Sequence, residues 1–93
     1  MTLHHIPDLA PVLAAFARLL APDGHLCIVD LVAEDGSFHA NLDDFAGHDG
    51  FGLMGLTTLL VDAGFTAPGW ETVHRMDKDG ATYPLFLATT TLA

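Results

Sequence analysis

The stretch HLCIVDLV, residues 25–32, sets the strongest limit on what this chain can fold into. It is a short, continuous apolar run rich in β-branched residues, the composition of a strand buried on both faces of a parallel sheet. Before it comes PDLAPVLAAFARLLAPDG, where Leu9, Val12, Leu13, Phe16, Leu19 and Leu20 recur at helical spacing and make one apolar stripe. Asp8 is placed to cap that helix, and Pro11 falls in its first turn, where a missing N–H costs least. APDG then ends the helix and turns the chain. A helix feeding a strand of this kind implies an α/β fold.

The next stretch, AEDGSFHANLDDFAGHDG, is polar and irregular, with a helical turn expected around Leu42 to Phe45. Long connections of this kind often carry function. LMGLTTLLVDAGF reads as a second helix carried by Leu53, Leu56, Leu60 and Ala63. Gly64 supplies the left-handed residue past its end and Phe65 the apolar contact that follows. GWETVHRMD, the turn KDG and TYPLFLATT read as a β-hairpin. Pro84 lacks a backbone donor and is expected near a strand start. The order is therefore helix, strand, helix, strand, strand, in one domain without repeats or linkers.

Twelve acids stand against Arg18, Arg75 and Lys78, a formal charge of −9. Such a field repels phosphate backbones and anionic lipid, so neither nucleic acid nor a membrane surface is an expected partner. No apolar run reaches the roughly 20 residues that span a bilayer, and the amino terminus lacks signal-peptide features. With the lone Cys27 expected as a buried, reduced thiol, a cytoplasmic location is expected. Hydrophobic residues make up 51% of the chain and charged ones 16%. In so small a body some apolar surface stays uncovered, which favours a homodimer.

Three sets of residues invite chemistry. GFGLMG, Gly50 to Gly55, has the spacing of a dinucleotide-binding loop, but such a loop needs a strand directly before it, and here the preceding residues are polar and acidic. Gly55 also has the simpler role of letting a helix pack closely. The six histidines include no helical pair, and adjacent His4 and His5 in an extended loop would aim apart, so no metal site is expected. His4 and His5 lie where a loop follows a sheet strand, and Asp30 lies at a strand's carboxyl end, the region where α/β sheets collect ligands. The two histidines serve there either as proton acceptors near neutral pH or as partners for helix-start hydrogen bonds.

Taken together, MTLHHIPDLAPVLAAFARLLAPDGHLCIVDL resembles the region after the fourth strand of class I S-adenosylmethionine-dependent methyltransferases. The resemblance is to the small-molecule branch related to the ubiquinone and menaquinone biosynthesis enzymes. GHDGF…LLVDAGF and TYPLFLATT resemble the segments that follow in that family. The resemblance implies a partial Rossmann-like fold, a three-stranded mixed sheet with two main helices on one face. TYPLFLATT would insert antiparallel between the other two strands. It also implies that residues 1–93 are the carboxyl-terminal portion of such a domain. The cofactor-binding half, with its glycine-rich loop, would lie upstream of Met1. His4, His5 and His48 would then line the acceptor side, with no cofactor-binding residue among the 93. S-adenosylmethionine would be the cofactor of the family without being bound by this portion alone. The chain is accordingly expected to be a truncated methyltransferase inactive by itself, acting on a small-molecule acceptor only when the missing half is supplied. The alternative is a non-catalytic interaction or dimerisation module, derived from a methyltransferase, that docks through the exposed sheet edge or face.

Overall fold

The computed structural model describes residues 2–34, 36–39 and 47–93. A 3-10 turn, Leu3–His5, leads into α1 (Ala10–Leu19), β1 (Leu26–Leu31) and a second 3-10 turn, Ser37–His39. Then come α2 (Leu53–Asp62), β2 (Gly69–Lys78) and β3 (Ala81–Thr90). The helical turn expected around Leu42 to Phe45 lies outside the described residues.

The fold is α/β, with the sheet order β1-β3-β2. The last strand does insert between the other two. It pairs antiparallel with both, Leu26 opposite Thr90 on one side and Lys78 opposite Ala81 on the other. The sheet is therefore antiparallel and not mixed. β1 and β2 run the same way but are kept apart by β3, so no parallel strand pair forms. The hairpin turn explains the direction of β3: Asp79 and Gly80 both have positive φ, 51° and 80°, the geometry of a tight type I′ turn.

The main core lies on one face of the sheet. Leu9 and Leu13 from the first helical segment and Leu56 and Leu60 from α2 pack with Ile28, Phe86 and Ala88. Trp70 stacks on Phe86 with ring centroids 4.1 Å apart. The helical stripe is narrower than its spacing suggests, because Leu19 is 84% exposed at the end of α1. Nor does Asp8 cap α1: Leu9 holds the cap position and no side chain bonds there, although Pro11 does fall in the first turn. At α2 the expected ending is present. Gly64 has φ +101°, its N–H donates to the Val61 carbonyl, and the N–H of buried Phe65 donates to the Leu60 carbonyl.

Among the described residues, the opposite face is covered at one end only. There Leu31, Tyr83 and Leu85 pack under Phe38, with Met76 and Ala81 at the margin. Cys27 and Val29 alternate with the buried residues of β1 and are exposed, Val29 by 44%. The expected burial of β1 on both faces, and of the Cys27 thiol, is thus corrected. Among the described residues the two α-helices cover one face, so alternate residues of β1 face outward.

Pro84 also departs from its expected place, standing fourth in the central strand and opposite Arg75. It is tolerated because the β1 ladder stops one residue later, at Leu31 opposite Leu85. The Pro84 carbonyl accepts the Val32 N–H, so the missing donor faces the end of β1 and not its ladder. Past that point β1 continues along a new neighbour. Phe51 donates to the Leu31 carbonyl, Ala33 to Phe51 and Glu34 to Asp49, around an isolated parallel bridge between Val32 and Phe51.

This approach explains Gly50. It has φ +81°, and a Cβ there would lie 2.5 Å from the Val32 carbonyl oxygen. Gly55, by contrast, has nothing within 4 Å of a Cβ position, so close helix packing does not require it. Urea unfolding should therefore rank three variants. Gly55→Ala gains about 0.5–1 kcal/mol from helix propensity. Gly64→Ala loses about 1–2 kcal/mol to left-handed strain, and Gly50→Ala loses more than Gly64→Ala because a backbone clash adds to the same strain.

Candidate functional site

The carboxyl end of β1 carries Asp30, and the amino-terminal 3-10 turn folds directly onto it. Asp30 is fully buried and His4 is 1% exposed. One carboxylate oxygen accepts the His4 backbone N–H at 3.1 Å; the other lies 2.6 Å from His4 Nδ1 and also accepts the Leu31 N–H at 2.7 Å. A carboxylate can only accept, so Nδ1 carries the proton and Asp30 fixes both the tautomer and the ring orientation. The remaining nitrogen, Nε2, is buried and has no hydrogen-bond partner among the described residues. Neither of the two roles open to His4 in the sequence foresaw a carboxylate as its partner.

His5 follows on the same turn and is exposed. The turn is helical and not extended, which brings the His4 and His5 rings to a centroid distance of 4.1 Å. His48 joins them through the backbone: its N–H donates to the His4 carbonyl at 2.6 Å. Its ring turns away, with Nε2 bonded to the Pro7 carbonyl at 3.1 Å and the ring packed near Phe51. All three candidate histidines therefore meet at one end of the sheet, His4 held by Asp30, His48 acting as a brace and His5 facing outward.

A fourth histidine belongs to the same cluster. His39 is buried, with its ring centroid 5.0 Å from that of His4 and 5.3 Å from that of His5. The turn that carries it is tied down on several sides. One Glu34 carboxylate oxygen accepts the Gly36 and Phe38 N–H groups, and the Ser37 and Tyr83 hydroxyls lie 2.5 Å apart. The Lys78 ammonium donates to the Phe38 carbonyl and lies 4.3 Å from the centre of the Phe38 ring. Burial pushes the pKa of His39 below the ordinary imidazole value. Positive charge on His4, His5 or Lys78 acts in the same direction, and Glu34 opposes it. His39 is thus biased to the neutral form. Nothing in the local sequence marks it, because its partners lie 34 and 35 positions earlier in the chain.

The glycine-rich stretch has none of the surroundings a phosphate loop needs. Among the described residues, what precedes α2 is a single bridge residue, Phe51, and Gly50 is explained by its contact with Val32. His25 and His74 also lie apart from the cluster, His25 just before β1 and His74 exposed on β2.

Over 70 residues, 68% of its length, the chain is 36% identical to an uncharacterized methyltransferase of Schizosaccharomyces pombe. The chain spans about a quarter of that protein, 25% of its length. No family model and no solved structure matches the chain. The similarity supports a methyltransferase relationship. Among the described residues no helix is long and apolar enough to cross a membrane.

The His4–Asp30 pair should be measurable as a coupling. Asp30→Ala is expected to lower the unfolding free energy by about 3–5 kcal/mol, because it leaves a buried partner without its counterpart. A double-mutant cycle with His4→Ala should return an interaction energy of about 0.5–3 kcal/mol by urea unfolding. Strict additivity would show that the two side chains do not act as a unit.

Proposed function

We propose that these 93 residues form the acceptor-side part of a small-molecule, S-adenosylmethionine-dependent methyltransferase of Rossmann-like fold, working in the cytoplasm. The observation that carries this reading is the 70-residue similarity to a protein named as a methyltransferase. The insertion of β3 between β1 and β2, the order that the resemblance implies for such a domain, supports it. Methyl transfer depends on holding the donor methyl and the acceptor atom in line at near-contact distance. In this reading the histidine cluster supplies the wall against which the acceptor is held. His5, the exposed member, meets the acceptor, while Asp30 and His48 fix the turn beneath it. The cofactor is held by residues outside these 93.

Two measurements test the assignment. Titrated with S-adenosylmethionine in a calorimeter, the 93-residue chain should give no saturable heat; micromolar binding would overturn the claim that the cofactor is held elsewhere. A chimera of the fission-yeast relative, with its corresponding quarter replaced by these residues, should bind the cofactor. A folded chimera that fails to bind it while the parent succeeds would count against the family assignment.

A second reading, a non-catalytic dimerisation module, is favoured by one specific feature. Among the described residues no strand pairs with the outer edge of β1, and an open groove bounded by Thr2, Leu3 and Phe16 runs along Leu26 to Asp30. Unpaired strand edges next to apolar surface tend to recruit another chain. The occupant proposed is a second copy. Light scattering after size exclusion should give about twice the 9.9 kDa chain mass, and a stable monomer at micromolar concentration would remove this reading.

A further inference from the structure

We propose that His4, His5 and His39 form a binding site for a divalent transition-metal ion of the zinc class. One ring nitrogen from each of the three lies within 4.8 Å of the others. In a tetrahedral zinc site with Zn–N of about 2.0–2.1 Å, such nitrogens stand about 3.4 Å apart. The rings need only close inward, and exposed His5 is the member with room to do so.

Two features separate this cluster from histidines that merely happen to be neighbours. First, His4 Nε2 belongs to a side chain that is 1% exposed, and among the described residues it has no hydrogen-bond partner. A buried lone pair without a partner is costly unless something occupies it. Second, His4 is held by Asp30 through Nδ1, the carboxylate–histidine arrangement that orients ligating imidazoles and raises their basicity. Lys78, over the neighbouring Phe38 ring, acts against a cation here, while the Asp30 carboxylate bonded to His4 offsets it.

Three imidazoles favour zinc, copper, nickel or cobalt over magnesium or calcium, which prefer oxygen ligands. Three protein ligands also leave a fourth position for water or another ligand. The chelate would join the amino-terminal turn to the segment after β1. It requires no methyl acceptor and does not rest on the methyltransferase reading.

The test uses the 93-residue chain under reducing conditions, titrated with zinc against a chromophoric chelator and separately with cobalt(II). One equivalent of zinc should bind with low-micromolar affinity or better. Cobalt should show visible d–d bands of a four- or five-coordinate site without a thiolate charge-transfer band. His5→Ala, a change at an exposed position, should abolish this binding while leaving the metal-free circular dichroism and melting temperature unchanged. Asp30→Asn should weaken binding about 10- to 100-fold where it folds. A combined His25→Ala, Cys27→Ser and His74→Ala variant should bind as the parent does. Absence of zinc binding by the parent would overturn the proposal, as would retention of full affinity in His5→Ala. Loss of affinity in Asp49→Asn with none in His5→Ala would also overturn it, because the ion would then occupy the neighbouring Glu34, His39 and Asp49 set.

Discussion

β3 joins everything else in this fold. β1 and β2 meet only through it, along ladders that begin and end at different points of its ten residues. Its alternating side chains also serve two separate cores. Phe86 and Ala88 meet the helices, while Tyr83 and Leu85 meet the turn that carries Phe38. A strand with period-two alternation and both faces partly covered needs apolar residues in both registers, and LFLA supplies them. Such a strand cannot slip by one residue without moving each set into the wrong core.

The second organising contact is polar. Asp30 enters a layer of apolar side chains and meets His4 and two backbone N–H groups there, so its charge is matched on several sides. A buried carboxylate without those partners would be strongly unfavourable. Once they are made, the amino-terminal turn has a defined place on the sheet, and the histidines follow it. The candidate site is therefore a by-product of how the first turn is docked as much as of the loop that faces it.

Much of the architecture was legible in the chain. Helical periodicity located α1 and α2, Gly64 and Phe65 marked the end of α2, and the resemblance placed β3 between its neighbours. What could not be read were properties set by layers and directions. The label of a mixed sheet failed because a tight hairpin reverses β3 against both neighbours. Burial of Cys27 failed because, among the described residues, little lies above that part of the second face, which no local pattern around HLCIVDLV reveals. Asp8 looked like a cap by residue type, yet the backbone gives that position to Leu9. At the site, His4, His5 and His48 stood out by position. Their pairing with Asp30 and His39 was hidden, because it depends on contacts between residues 26 to 35 positions apart.

The handover of β1 from β3 to the segment around Phe51 has a consequence for how this protein can vary. The Glu34 N–H donates to the Asp49 carbonyl, so the two stems of the intervening connection are clasped side by side by main-chain bonds. Closing a longer excursion between fixed stems costs little, about 0.6 kcal/mol for each doubling of its length. Relatives could therefore enlarge or shorten this excursion, and change whatever it presents to the histidines, while the sheet beneath keeps its register.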